Sequence, residues 1–359
     1  MKELLFLARW GNNKERAWSG INWSLYNALS KYYDINDINL SLAKKTIIDR
    51  IINKTCPDIF FRETKRNGEY AIQQINRGKP TTIFQFAENI FDTDNLSTYI
   101  YQDLSVSYVE YMMENMPDIF AVSAFQKQSH AAIHNRAIYQ NNYYQHCKGI
   151  FTMGRWLTED MVKRCHIEQA KVHPVGGGIN LDKALIDRSN KKGNKILFVG
   201  RDFKRKGGYI VVEAFKELKK RRKDVELYVA GPSKNPYHED IDGYHFMGDC
   251  DYKKTAELFN LCDIYCMPSY FEAYGLVFVE ALTFGLPVIA RNAYEMPYLI
   301  QDGQTGLLLQ KDDVKELSEM MDSLLSDVNI KKNVVERQND YLIEYSWNKV
   351  AEKISTIIY

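Results

Sequence analysis

The sequence contains no uninterrupted apolar run close to the ~20 residues that a membrane-spanning helix needs. Its most apolar N-terminal stretch, residues 4–8, is too short for a signal-peptide core and is followed at once by Arg9 and Trp10. We therefore expect a cytoplasmic protein, with any membrane contact peripheral and at the inner face of a membrane. The basic run 219–223 could contact anionic lipid, although a solvated helix end explains it as well.

A surplus of charge of either sign is also missing, because 47 Lys and Arg oppose 46 Asp and Glu. The formal charge of +1 gives no overall field that would attract nucleic acid, which we do not expect as a partner. Cysteine is sparse as well: the chain has six, and only Cys262 and Cys266 are close, without CxxC spacing. Buried thiols in a reducing compartment explain them better than a metal or redox site.

What the chain does have is alternation of short apolar runs with longer amphipathic ones, over a length that suits two domains. This βα pattern predicts parallel sheets covered by helices on both faces. The stretch from Pro174 to Gly178 marks the expected boundary, giving domains 1–173 and 174–346. The expected strands are residues 4–8, 81–86, 99–102, 149–152, 195–199, 225–230, 263–267 and 287–290. The expected helices are residues 21–31, 121–145, 158–165, 209–220, 253–261, 277–284 and 314–325.

Such sheets bind ligands beyond the carboxyl ends of their strands, so the loop after strand 195–199 is a candidate site. It reads GRDFKRKGG over residues 200–208. Its glycines would let the backbone approach a ligand, and Arg201 and Lys206 could clamp a diphosphate, as a fork and a point charge. A solvated basic loop fits equally well, since the spacing is neither that of a P-loop nor GxGxxG.

Two glutamates follow the strand at 263–267. Glu272 falls in a loop facing the expected crevice, where it could accept hydrogen bonds from sugar hydroxyls. Glu280 lies in an otherwise apolar helix, where an unpaired carboxylate is costly, and a ribose diol would be a natural partner. The amides of Gly275 and Leu276 at the helix start would then meet phosphate or sugar oxygens. A helix-end carboxylate and an internal salt bridge would explain the same pair without a ligand.

Seven residues separate Glu272 from Glu280, and with their flanks, residues 268–290, they closely resemble the signature of glycosyltransferase family 4. The resemblance covers nearly all of the C-terminal half and only loosely the N-terminal half. It implies a GT-B fold, an α/β architecture of two Rossmann-like domains with parallel sheets facing across a cleft. The second domain would hold the donor nucleotide and the first the acceptor, with a C-terminal helix at 347–359 completing the first domain.

The resemblance also implies roles for individual residues. Arg201 and Lys206 would hold the diphosphate, Glu272 the donor sugar and Glu280 the ribose, with Tyr274 beside them. The implied enzyme is a retaining glycosyltransferase that moves a hexose-type sugar from a UDP- or GDP-sugar to a glycan, lipid-linked or polysaccharide-precursor acceptor. No cofactor or catalytic metal is expected, because two cations and the helix amides would neutralise the leaving diphosphate.

The N-terminal half offers fewer clues. Gly20 resembles the glycine that approaches the donor phosphate in this family, but an ordinary helix start with Ser19 as N-cap accounts for it too. Gln102 and Asp103 stand where family members often carry a His-Asp pair, so the usual histidine contact with the donor sugar is replaced by an amide. Asp103 is either close to the site or a helix N-cap.

Histidines and tyrosines of the N-terminal half have ordinary explanations as well as functional ones. His130 and His134 are read as packing or surface residues, because the glutamate of an HExxH zinc motif is absent. Tyr139, Tyr143 and Tyr144 could line an acceptor groove or pack in the core. The alternatives to a transferase are a catalytically silent nucleotide-sugar-binding partner subunit and a sugar-nucleotide epimerase or phosphorylase on the same scaffold. A nicotinamide dehydrogenase is disfavoured because no GxGxxG follows a strand.

Overall fold

The computed structural model describes residues 2–44, 59–75, 79, 81–187 and 193–358. The chain divides into two compact units, the first made of Met1–Asn180 with Ser346–Tyr359 and the second of Leu181–Tyr345. Each unit contains one parallel six-stranded sheet with helices connecting its strands. The predicted α/β class is therefore confirmed.

The sheet of the first unit has the strand order β2-β1-β3-β4-β5-β6. Because β2 lies on one side of β1 and the later strands on the other, the order reverses between β1 and β3, which makes a topological switch point. The strands are β1 Lys2–Ala8, β2 Tyr33–Asn39, β3 Thr81–Gln85, β4 Leu96–Gln102, β5 Gly149–Thr152 and β6 Val172–Pro174. The helices are α1 Ile21–Leu29, α2 Ile59–Gln74, α3 Val106–Asn115, α4 Pro117–Phe120, α5 His130–His146 and α6 Arg155–Arg164.

The single long helix predicted for residues 121–145 is wrong. Helix α4 ends at Phe120, and α5 starts at His130 after a turn. The Ser123 hydroxyl donates to the Phe120 carbonyl, so it competes with the backbone for the bonds that would continue a helix. Ser129 then caps α5, since its hydroxyl accepts the amide proton of Ala132 over 3.2 Å. Two serines in an otherwise helical pattern therefore separate two helices.

The C-terminal helix, α14 Trp347–Ser355, belongs to the first unit. The Trp347 indole donates to Asn180 Oδ1 over 2.8 Å, and a Cβ added at Gly178 would lie 2.6 Å from the same ring. The Tyr101 hydroxyl donates to the carbonyl of Gly176 over 2.8 Å. The glycine-rich crossing is thus packed on the first unit, and the division falls after Asn180 instead of after residue 173.

The sheet of the second unit has the order β12-β11-β10-β7-β8-β9, the doubly wound Rossmann order, with its switch point between β7 and β10. The strands are β7 Lys195–Val199, β8 Glu226–Ala230, β9 Tyr244–Gly248, β10 Ile264–Cys266, β11 Val288–Arg291 and β12 Gly306–Leu309. The helices are α7 Gly208–Arg221, α8 Tyr252–Leu261, α9 Leu276–Thr283, α10 Met296–Leu299, α11 Val314–Ser326, α12 Val328–Glu336 and α13 Gln338–Glu344.

In the part of the chain that the structure describes, no helix combines the length and the apolar character required to cross a bilayer. The basic run at the end of α7 is largely paired with acidic side chains. Lys219 lies 3.2 Å from a carboxylate oxygen of Asp242, and Arg222 lies 3.2 Å from one of Asp322. These pairs account for much of the run's charge within the unit.

Candidate functional site

Two loops of the second unit meet at the switch point of its sheet, one following β7 and the other following β10. The Tyr270 amide donates to the carbonyl of Arg205 over 2.9 Å, which ties the two loops together. Gly207 has a φ of +76°, and a Cβ placed there would lie 2.6 Å from the carbonyl oxygen of Pro268. Only glycine permits both this backbone conformation and so close an approach. The loops are therefore held with their charged side chains together.

Lys206 and Glu272 form the centre of this arrangement. The ammonium of Lys206 lies 3.1 Å from a carboxylate oxygen of Glu272, and the two side chains are only 17% and 12% exposed. Arg205 adds a second cation, 3.3 Å from the same oxygen, and also donates to the carbonyl of Phe271. The structure thus brings together two of the predicted residues and one cation that sequence reasoning did not select.

The electrostatics of Glu272 follow from these contacts. Burial alone would raise the pKa of its carboxyl group, but Lys206 and Arg205 outweigh burial and hold that pKa below its usual range. Glu272 is consequently ionised at neutral pH, and its negative charge is matched by the two cations. A ligand anion would find these cations already positioned at the ends of the strands.

Glu280 lies on α9, and its half-buried carboxylate forms no hydrogen bond or ion pair with the residues that the structure describes. Burial raises its pKa to about 7, while the charge of Lys206 acts in the opposite direction. Lys206 therefore influences both glutamates, which places Glu272 and Glu280 in one electrostatic environment. A carboxylate this poorly compensated is suited to accept hydrogen bonds from a ligand.

The start of α9 contributes backbone donors to the same region. Gly275 is the N-cap residue with a φ of +91°, and a Cβ there would lie 2.7 Å from the ring of Phe278. Within the described residues, the amides of Gly275 and Leu276 have no acceptor, as is usual at a helix N-terminus. Tyr274 beside them is buried. Its side chain therefore belongs to the wall of the region.

Arg201 is placed differently from the prediction. Its side chain is 81% exposed, and its Nε lies 3.3 Å from a carboxylate oxygen of Asp249. The ion pairs of Glu272 are made instead by Arg205 and Lys206. Residues 202–206 form a turn in which the Lys206 amide donates to the carbonyl of Asp202, and this turn brings Arg205 to the glutamate. The sequence alone does not indicate which of the two arginines reaches Glu272. The turn decides it.

In the first unit, Gly20 is the N-cap residue of α1, with a φ of +85°. A Cβ at this position would lie 2.9 Å from the side-chain amide of Asn180. The helix therefore begins at a glycine required by the backbone, and the alternative in which Ser19 is the N-cap residue is wrong. This conformational role leaves a contact between Gly20 and a donor phosphate as a prediction.

Gln102 ends β4 with its side chain in the core of the first unit. Its amide nitrogen donates to the Tyr144 hydroxyl over 2.7 Å, and that hydroxyl lies 3.0 Å from the Gln102 carbonyl oxygen. Both ends of the amide are thus engaged inside the unit, which does not favour the expected contact with a donor sugar. Asp103 is half-buried just beyond the strand, and Ser105 is the N-cap residue of α3, so the capping alternative for Asp103 is wrong.

The remaining candidates have structural explanations. His130 and His134 are exposed on α5 and lie 2.9 Å and 2.6 Å from Glu114 and Glu110, respectively. They are surface residues, in line with the prediction. Tyr143 and Tyr144 are fully buried and Tyr139 is half-buried, so packing is the explanation that fits at least the first two. Five cysteines are free, and Cys56 lies outside the described residues.

Most of the second unit matches the model of a known protein family. Residues 184–341 match the family model described as "Glycosyl transferases group 1", and these residues contain Arg205, Lys206, Glu272 and Glu280. Of the curated proteins, "Phosphatidyl-myo-inositol mannosyltransferase" of Mycolicibacterium smegmatis is 27% identical over 218 residues, or 57% of this chain and 56% of the relative. The match thus spans little more than half the length of that relative.

Solved structures resemble the whole chain in fold. Sucrose-phosphate synthase from Thermosynechococcus elongatus superposes with a TM-score of 0.67 at 18% identity, covering 99% of this chain and 98% of that one. WaaG, a glycosyltransferase involved in lipopolysaccharide biosynthesis, has a TM-score of 0.65 at 16% identity, with 99% of each chain covered. At these identities the likeness concerns the fold alone, and it supports the GT-B class for the two sheets.

Proposed function

We propose that this protein is a retaining glycosyltransferase that transfers a hexose-type sugar from a nucleotide-diphosphate donor, a UDP- or GDP-sugar, to a glycan, lipid-linked or polysaccharide-precursor acceptor. The proposal is carried by one observation: Lys206 and Arg205 meet Glu272 at the switch point of the second sheet, beside the unpaired carboxylate of Glu280. The group 1 family match covers these residues. The names of a mannosyltransferase and a lipopolysaccharide glycosyltransferase among the similar proteins support the choice of acceptors.

In this proposal the second unit binds the donor. The diphosphate accepts hydrogen bonds from Lys206, from the guanidinium of Arg205 and from the free amides of Gly275 and Leu276. Glu280 accepts hydrogen bonds from the two hydroxyls of the ribose. These bonds compensate for the partial desolvation of its carboxylate. Glu272 accepts hydroxyls of the donor sugar and stabilises positive charge that develops at its anomeric carbon.

The reaction exchanges one bond for another at the anomeric carbon. The bond from this carbon to the diphosphate oxygen breaks, and a bond to the acceptor hydroxyl oxygen forms on the same face of the sugar. Because the new bond forms on the face that the diphosphate leaves, the configuration is retained. The proton of the acceptor hydroxyl passes to the departing phosphate oxygen. Lys206 and Arg205 stabilise the negative charge that builds up on the leaving diphosphate. We propose that these cations and amides make a catalytic metal unnecessary, and that the reaction takes place in the cytoplasm.

The test is Glu272→Gln, which keeps the shape of the side chain and removes its charge. We expect transfer and donor hydrolysis to fall by about 10²–10³-fold, the usual cost of losing one stabilising group in a transition state. Radiolabelled UDP- and GDP-sugars with lipid-linked and oligosaccharide acceptors would measure both. Glu257→Gln is the matched control, because Glu257 is exposed on α8 and pairs only with Lys254 in the described contacts. Equal activity of the two variants would refute the proposal.

A silent nucleotide-sugar-binding subunit is the second candidate, favoured by the engagement of Gln102 with Tyr144 inside the first unit. It predicts that a nucleotide sugar raises the melting temperature of the protein by mass action, whereas neither transfer nor hydrolysis occurs. An epimerase would convert the nucleotide sugar without an acceptor, which product analysis detects.

A further inference from the structure

The first unit contains a cavity of about 280 Å³ beyond the carboxyl ends of β1 and β3. This is the switch point of the first sheet, the position at which open α/β sheets bind ligands. Its wall is closed on one side by α2, where Gly68 packs so tightly against the carbonyl of Asn89 that a side chain would not fit. The lining includes Arg9, Trp18, Asn22, Glu63, Phe86 and Arg136.

Asn22 supplies the observation that points to a ligand. Its side chain on α1 lines the cavity and is 5% exposed, yet its Oδ1 atom has no hydrogen-bond partner within the described part of the chain. An unpaired polar atom in such a place is costly unless a ligand supplies the missing bond. If the amide is rotated by half a turn, the buried atom is a donor instead of an acceptor. A hydroxyl group satisfies either arrangement, because it both donates and accepts.

The two arginines that line the cavity are each paired with a glutamate. Arg9 lies 2.6 Å from Glu63, and Arg136 lies 2.8 Å from the buried Glu88, which also accepts from Gln140 over 2.9 Å. Arg66 lies 3.7 Å from Glu63 as well. An anionic ligand would compete with a lining glutamate for its guanidinium, whereas an uncharged ligand leaves every pair intact.

The size and the aromatic side chains of the cavity restrict the class of ligand further. Trp18 is 39% exposed and stands edge-on to Phe86, with 5.6 Å between the ring centroids. An exposed indole offers an apolar face on which the C–H face of a sugar ring can lie. The volume is slightly below the ~300–1,000 Å³ range of ligand pockets, which suits one monosaccharide unit.

We propose that this cavity holds one uncharged hexose-type ring of the acceptor, with a ring hydroxyl bonded to Asn22 and the apolar face of the ring on Trp18. The inference rests on the proposed function and specifies its acceptor: a neutral sugar residue at the accepting end, in preference to a uronic acid or a phosphorylated sugar.

The experiment measures binding of methyl glycosides to the full chain by saturation-transfer NMR. The neutral probes are the methyl glycosides of glucose, galactose, mannose and N-acetylglucosamine, and the charged probes are methyl glucuronide and glucose 6-phosphate. We expect at least one neutral probe to bind, and Asn22→Leu to weaken it by about tenfold, the size expected for a lost buried hydrogen bond. The matched control is Asn27→Leu, because Asn27 is exposed on the same helix. It should bind as the wild type does.

Trp18→Ala is the second variant and should also weaken binding, so the test survives if Asn22→Leu fails to fold. Failure of all neutral probes to bind, stronger binding of the charged probes, or unchanged binding in the substituted proteins would overturn the inference. Melting temperatures with nucleotide sugars, recorded on the same samples, separate the two proposals. Stabilisation by a nucleotide sugar without glycoside binding refutes only the cavity, whereas no stabilisation by any nucleotide sugar counts against the donor site.

Discussion

At the switch point of the second sheet, between β7 and β10, two cations converge on Glu272, and Glu280 has no partner among the described residues. At the switch point of the first sheet, between β1 and β3, each lining arginine is paired with a glutamate and an asparagine oxygen is unpaired. Both sheets are parallel and each has a switch point, although their strand orders differ. The edge of the second sheet offers charge, and the edge of the first offers neutral hydrogen bonds. Sheet order therefore locates a crevice, and the side chains at its edge select the ligand.

The largest expected effect tests the charged edge. Lys206→Ala should lower transfer by about 10²–10³-fold, because the charge developing on the diphosphate loses its nearest ammonium. Lys204→Ala is the matched control, since Lys204 is exposed in the same loop. Initial rates at saturating nucleotide sugar would measure both. If Lys206→Ala transfers the sugar as fast as Lys204→Ala does, Lys206 does not contribute to catalysis of transfer.

The next prediction sharpens the assignment of the second cation. Arg205→Ala should reduce kcat/KM by about 10–100-fold, since a charge-assisted contact at a partly buried site is removed. Arg201→Ala should stay within about fivefold of the wild type, as expected for an exposed pair worth at most about 1 kcal/mol. If Arg201→Ala instead causes the larger loss of kcat/KM, Arg201 is the arginine that binds the diphosphate, as the sequence predicts.

A pH dependence follows from Glu280. Its pKa is raised from 4.5 to about 7, and hydrogen bonds from a ribose diol favour the ionised form. The dissociation constant of a nucleotide sugar should therefore be about tenfold lower at pH 8 than at pH 6. Calorimetric titration is suitable, because a nucleotide-sugar diphosphate keeps its charge in this range. Glu280→Gln should remove the pH dependence, and Glu257→Gln should preserve it.

The same group affects stability with a definite sign. Because the folded state raises the pKa of an acid, the folded protein binds more protons than the unfolded chain between about pH 4.5 and 7. The free energy of unfolding contributed by Glu280 thus falls as the pH rises through this window. Urea unfolding of Glu280→Gln should lack that fall. If the wild type and Glu280→Gln show the same pH dependence of nucleotide affinity and of stability, the assignment of both effects to Glu280 is contradicted.

The smallest expected effect concerns the first unit. Tyr144→Phe should lower the free energy of unfolding by about 1–3 kcal/mol, because the buried amide of Gln102 loses its partner. Nucleotide affinity should not change if Gln102 acts only within the core. The control is Tyr32→Phe, at an exposed position on the same unit. A clear loss of nucleotide affinity in Tyr144→Phe would instead connect Gln102 to the donor.

In both units the sequence predicts the central strands better than the edge strands, for physical reasons. Strand β7 begins and ends where the apolar run predicts, since a buried central strand is apolar on both faces. Strand β2 escapes the same reasoning, because it lies at the sheet edge and alternates with polar residues such as Asp34 and Asn36. Hydrophobic pattern thus identifies central strands and misses this edge strand.

Side-chain pairing is harder to predict than secondary structure. The spacing of Glu272 and Glu280 identifies both carboxylates, yet the choice between Arg201 and Arg205 depends on a turn that no spacing rule specifies. The unpaired oxygen of Asn22 has no signal in the sequence, because its surroundings come from α1, α2 and two strands that are far apart in the chain. Long-range neighbours decide whether a polar residue is satisfied.

The position of α14 has a consequence for synthesis on the ribosome. The second unit is one continuous segment, so it can fold as soon as Tyr345 has emerged. The first unit starts earlier but needs Trp347, whose ring contacts Asn180 and Gly178, and it can be completed only after this later segment has emerged as well. A nascent chain would therefore hold its N-terminal sheet unfinished for longer than its C-terminal one, and stop codons just before Trp347 would mainly harm the half that was made first.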